Sequence, residues 1–203
     1  MHYVTHSRCC LILFIGSKNS CPIPRRLLET IAEWLTVDPR LCLIALSQQL
    51  STHRTNLWTS PTKSNTQTPT PGLVRWCVKA PLIYELASRK TDDNDKLQQN
   101  AAELELIWSK LHLAVLETML HLRTLPDASQ LELLTMVDMN KAVKELVDLY
   151  GQVQNLGQIT EDSLAQIGVD RLAQCLQISL STGAFRCSMA DLRKILQSLP
   201  PSP

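Results

Sequence analysis

Glycine is scarce in this chain, six in 203 residues, which disfavours folds built on phosphate loops or tight strand turns. Aromatic residues make up only 4%, and leucine dominates the apolar set, a balance that favours helices over sheets. No charge of one sign accumulates. The net charge is +1, and Arg25-Arg26 and Arg89-Lys90 are isolated pairs read as solvated helix ends. The basic footprint of a nucleic-acid binder is missing. The apolar run Cys9 to Ile15 is too short to span a bilayer. Seven cysteines, an odd number lying mostly in apolar stretches, imply reduced buried thiols and no disulfide framework.

Catalytic signatures are also missing. The sequence contains no H-E-x-x-H, no G-x-S-x-G, no P-loop and no dinucleotide fingerprint. His112 and His121 are nine residues apart, which at about 100° per residue puts them on opposite faces of one helix. They cannot share a metal or a proton, and His112 is read as a packed core or interface histidine. His2, His6, Cys9, Cys10 and Cys21 lack the paired spacing of a structural zinc site. Thr91 to Lys96 fails as a calcium loop because a lysine takes the third ligand position and the turn glycine is absent. No metal, cofactor or small-molecule substrate is therefore expected.

What is present is helical periodicity. Asn100 to Leu125 reads as one long helix, about 40 Å at about 1.5 Å per residue. Leu104, Ile107, Trp108, Leu111, Val115, Met119 and Leu122 step at helical intervals, and Leu106, Leu113, Leu116 and Leu120 lie around the side. A helix apolar over most of its circumference has to be covered on more than one face. This helix is expected to organise the fold.

The rest divides into segments. Residues 1–21 are read as a buried helix end, the alternative being a signal peptide that lacks a clear cleavage site. Residues 22–50 form a helix pair. Its first member carries Leu27, Leu28, Ile31, Trp34 and Leu35, and its second starts at Asp38-Pro39. Residues 51–71 are a flexible Ser/Thr/Pro-rich loop holding Ser60-Pro61, Thr68-Pro69 and Thr70-Pro71. These dipeptides suit proline-directed kinases, although they also occur in any linker of this composition.

Residues 72–199 form the main array, and 200–203 a disordered tail. In this array Leu73, Trp76, Cys77 and Ala80 make a buried face, Arg75 and Lys79 a basic edge, and Pro81 a break or kink. Asp127 or Ser129 caps a helix running to about Val153 with Met136 and Met139 as core filler. Thr160 caps a helix stopped by Gly183, and Ser188-Met-Ala-Asp191 resembles a capping box.

Gly72-Leu-Val-Arg-Trp-Cys-Val-Lys-Ala-Pro-Leu-Ile-Tyr84 resembles a segment of the Integrator complex subunit 15 family. Leu28-Glu-Thr-Ile-Ala-Glu-Trp34, Asp38-Pro-Arg-Leu41, Ser109-Lys-Leu-His-Leu-Ala-Val-Leu116, Asp170-Arg-Leu-Ala-Gln174, Ser181-Thr-Gly-Ala184 and Asp191-Leu-Arg193 extend the resemblance in the same order. Members of that family are longer, so the chain reads as a fragment or truncated form, and 51–71 and 125–159 follow the family least.

The expected fold is all-α: an irregular antiparallel helical stack, comparable to a piece of a HEAT or armadillo α-solenoid. The resemblance implies a nuclear, non-catalytic scaffold subunit of the Integrator complex, which processes small nuclear RNA 3′ ends and attenuates RNA polymerase II transcription. It implies other Integrator subunits as partners, notably the module of subunits 10, 13 and 14, with no membrane and no direct nucleic acid. Arg75, Trp76 and Lys79 are the candidate partner-binding residues. A generic helical adaptor of another complex is the alternative, followed by an RNA-binding helical repeat.

Overall fold

The computed structural model describes residues 25–38, 70–90, 94–124, 132–160 and 163–200. The expected segment 1–21, the second helix of the pair and nearly all of the 51–71 loop lie outside these residues. Six α-helices are described: α1 Arg25–Val37, α2 Thr70–Lys90, α3 Asn94–His121, α4 Met136–Leu156, α5 Leu164–Thr182 and α6 Met189–Ser198. A 3-10 turn, Leu122–Thr124, ends α3. The all-α class is the one expected.

Each helix forms for local reasons. In α1, Leu28, Ile31, Ala32 and Leu35 recur at helical spacing, and this face is buried where α1 packs on α3. Trp34, expected on that stripe, is instead 37% exposed, because it lies about 60° outside the arc that the other four residues occupy.

Helix α4 starts later than Asp127 or Ser129. A capping box made by Thr135 and Asp138 fixes its N-terminus. The preceding Leu133 and Leu134 donate their N–H groups to Ala184 O, and Leu134 forms an isolated bridge with Phe185. A short extended segment thus occupies residues read as helical. Ser163, not Thr160, caps α5, and Gly183 ends it in the left-handed conformation at φ 78°. Ser188 caps α6 by accepting from Asp191 N–H.

The organising helix is α2 rather than α3. It packs against α3, α4 and α5. Leu73, Val74, Cys77, Val78, Ala80 and Leu82 are all buried, so most of its circumference faces protein. Helix α3 is covered by α1 on one side and by α2 and α5 on another, yet Leu106, Leu113 and Leu120 stay 48–59% exposed. The cross-links described below set directions: α5 runs against α2, whereas α3 runs along α5.

Pro81 does not break α2, which continues from Thr70 to Lys90. Thr70, placed by the sequence in the flexible loop, starts that helix and is buried, which closes its Thr-Pro motif to a kinase in the folded chain. Helix α5 approaches α2 closely at Gly168. A Cβ there would lie 2.7 Å from Val78 O and 2.2 Å from Leu82 Cδ1. Only glycine lets the two backbones come this near.

Candidate functional site

The polar groups that matter are clustered along α2. A proline inside a helix removes the N–H that would serve the carbonyl four residues earlier. For Pro81 that carbonyl is Cys77 O. Arg171 of α5, only 4% exposed, reaches across and donates from Nη1 to Cys77 O at 3.1 Å. Its Nη2 donates to Ser109 Oγ at 3.0 Å and pairs with Glu105, both on α3. One guanidinium therefore ties three helices together. Burial pushes the Glu105 carboxyl above its ordinary range, against the opposing charge of Arg171 and the hydrogen bonds from Ser109 and Arg171.

A second junction sits near the end of α2. Arg89 pairs with Glu85 and donates to Val153 O at 3.3 Å and Gln158 O at 3.0 Å, where α4 ends. Glu85 Oε2 accepts from Leu164 N–H, the first residue of α5, at 2.9 Å. A cation thus meets carbonyls at a helix C-terminus and an anion meets an amide at a helix N-terminus, so both charges suit the helix dipoles.

The third junction holds the residues singled out by sequence. Arg75 donates from Nε to Glu145 Oε2 at 3.1 Å, and Lys79 Nζ lies 3.0 Å from the same oxygen. This basic edge clasps α2 to α4. Burial alone would raise the Glu145 carboxyl, but the bonds from Arg75 and Lys79 hold it below its ordinary value. Trp76 is half-buried against the core. The three residues do lie on adjacent turns of one helix, and two of them are engaged within the chain. Sequence reasoning placed the cations and missed the acid, because Glu145 is distant in the chain and carries no local signal.

Among the described residues, one thiol lies against an imidazole, and the pair is not set up as a nucleophile. His112 Nε2 lies 2.8 Å from Gln174 Oε1, which leaves Nδ1 facing the Cys175 sulfur at 4.0 Å. Cys175 is fully buried, and desolvation pushes its thiol up to about 12. Desolvation also lowers His112, with Arg171 adding to the effect, so the imidazole is poised neutral. A nucleophilic pair needs the opposite: a depressed thiol with an accessible sulfur. Cys77 is buried as well and its thiol is raised. Among the described residues no cluster of His, Cys, Asp and Glu could hold a metal ion, and no helix is long and apolar enough to cross a membrane.

Several apolar side chains also remain exposed, among them Val37 on α1, Leu106, Leu113 and Leu120 on α3, Val137 on α4 and Met189 on α6. Residues 13–201 match the model of a family described as Integrator complex subunit 15. The chain belongs to that family. Integrator complex subunit 15 of Danio rerio is 33% identical over 197 residues, covering 93% of this chain and 39% of the relative. The Homo sapiens protein of that name is 34% identical over 191 residues, covering 87% and 40%. The Drosophila melanogaster protein of that name is 28% identical over 181 residues, covering 89% and 41%. The chain thus spans about two fifths of the length of these Integrator relatives. The family match includes all six helices and every junction along α2.

Proposed function

We propose that this chain is a non-catalytic scaffold subunit of the Integrator complex. In this reading it acts in the nucleus and supports small nuclear RNA 3′-end processing and attenuation of RNA polymerase II transcription. Other Integrator subunits are its partners, notably the module of subunits 10, 13 and 14. Membership of the subunit 15 family over residues 13–201 carries the proposal. The physical chemistry is compatible: buried Arg171 ties α5 to α2 and α3, and desolvation pushes the Cys175 thiol beside an imidazole up to about 12. A helical stack of this kind acts by surface complementarity. The edge at Arg75, Trp76 and Lys79 is proposed as one contact, presenting a half-buried indole flanked by cations already partnered by Glu145.

The test is affinity purification of the tagged chain from nuclear extract, with mass spectrometry of the recovered proteins. Recovery of Integrator subunits, subunit 10 above all, supports the reading. A folded chain that recovers no Integrator subunit, alongside a full-length relative that does, refutes the proposal for this chain.

A further inference from the structure

The exposed face of α3 has a regular composition. Leu106, Lys110, Leu113, Glu117 and Leu120 follow one another at steps of four and three residues, and all five are exposed. The three leucines are 59%, 59% and 48% exposed. Steps of four and three keep residues on one stripe along a helix, and the three leucines recur at every seventh residue, the spacing of one of the two apolar positions in a two-helix coil. On the other side of α3, Leu111, His112, Ala114, Val115, Thr118 and Met119 are buried.

The charges beside the seam say what fits it. In a symmetric pair of parallel helices, residues of equal number stand level, so Lys110 would lie beside a second Lys110 and Glu117 beside a second Glu117. In an antiparallel pair with its two-fold axis at Leu113, Leu106 stands level with Leu120 of the other copy. Lys110, level with Leu116 of the other copy, then lies within one residue's rise, about 1.5 Å, of Glu117 on the same side of the seam. The two-fold repeats that ion pair on the other side of the centre, as a self-complementary interface requires. Read in the reverse direction, the sequence of this face is its own complement.

We infer that two copies of this chain associate antiparallel through α3, with Leu106, Leu113 and Leu120 forming the seam and Lys110 paired with Glu117 of the second copy. A single helix pair buries less than the roughly 800 Å² per partner of a standard interface, so the dimer is a weak and reversible one. This inference is independent of the Integrator reading and stands or falls separately from it.

Sedimentation equilibrium of the purified full chain over a wide concentration series tests it, with circular dichroism confirming that each variant is folded. The wild type should pass from monomer to dimer. Leu113→Glu should keep its helicity and weaken the dimer about tenfold or more. If that variant loses helicity, Leu106→Gln replaces it and is judged by the same criterion. Lys110→Glu and Glu117→Lys should each weaken association, and the combined variant should restore it. A chain that stays monomeric throughout overturns the inference. So does a folded seam variant that dimerises like the wild type. A double charge reversal as weak as either single change also overturns it, because the Lys110–Glu117 pairing is then not made.

Discussion

Replacing Arg171 with methionine, which keeps much of the stem and removes the donors, isolates the contribution of the guanidinium. It serves Cys77 O, Ser109 Oγ and Glu105 in the native chain. Its loss strands a buried carboxylate, at about 3–5 kcal/mol for a broken buried pair. It also strands a main-chain carbonyl that Pro81 cannot serve, at about 1–3 kcal/mol. The two terms share one site and do not add, so about 4 kcal/mol is expected at neutral pH. That is a large part of the ~5–15 kcal/mol that holds a typical domain together.

The pH dependence has a definite sign. Glu105 is already raised by burial, and losing Arg171 raises it further. A group raised in the fold stabilises below its unfolded value and loses that contribution as pH rises through the folded value. The deficit of Arg171→Met is therefore smaller at about pH 5 than at about pH 7.5. Urea unfolding followed by far-UV circular dichroism at both pH values measures it. Arg171→Met combined with Glu105→Gln should recover more than half of the loss, since no charge is then stranded. In a Pro81→Ala background the new N–H serves Cys77 O, and Arg171→Met should cost about 1 kcal/mol less. A deficit under about 1 kcal/mol at neutral pH refutes the role given to Arg171. A Pro81→Ala background without effect on that deficit refutes the link to Cys77.

Three further outcomes are expected. Gly168→Ala should destabilise by about 1–3 kcal/mol because its Cβ meets the Val78 carbonyl, whereas Gly151→Ala, in open space, should stabilise by about 0.5–1 kcal/mol; thermal melts of the two variants decide it. Leu111→Ala, at a fully buried position, should cost about 2–5 kcal/mol, while Leu113→Ala, two residues on and mostly exposed, should stay within about 0.5 kcal/mol of wild type in dilute solution. Glu145 and His112 are both held below their ordinary values, Glu145 by Arg75 and Lys79 against burial and His112 by burial. Each contributes stability above its unfolded pKa and loses it as pH falls through the folded one, so His112→Gln should flatten the decline in stability just below pH 6.5 and Glu145→Gln the decline below pH 4.5. Urea midpoints across that range would contradict this if both variants kept the wild-type slope.

Local sequence patterns account for the helical class and several helix ends. The stripe Leu28, Ile31, Leu35, the stop at Gly183 and the cap at Ser188 are local patterns, set by periodicity and by side chains that bond their own neighbouring backbone. The subunit 15 resemblance was legible for a similar reason, since its strings of residues are contiguous. The rest came from how the helices pack. It put α2 rather than α3 at the centre, and turned the cations of Arg75 and Lys79 toward Glu145. It left Leu106, Leu113 and Leu120 facing outward, although composition read them as residues to be covered. It also made Cys77 O, which Pro81 leaves unserved, the acceptor for Arg171, 94 residues away. A spacing rule reports which residues share a face of one helix. Which face meets another helix, and which distant donor answers an unmade hydrogen bond, depends on the packing of all the helices together.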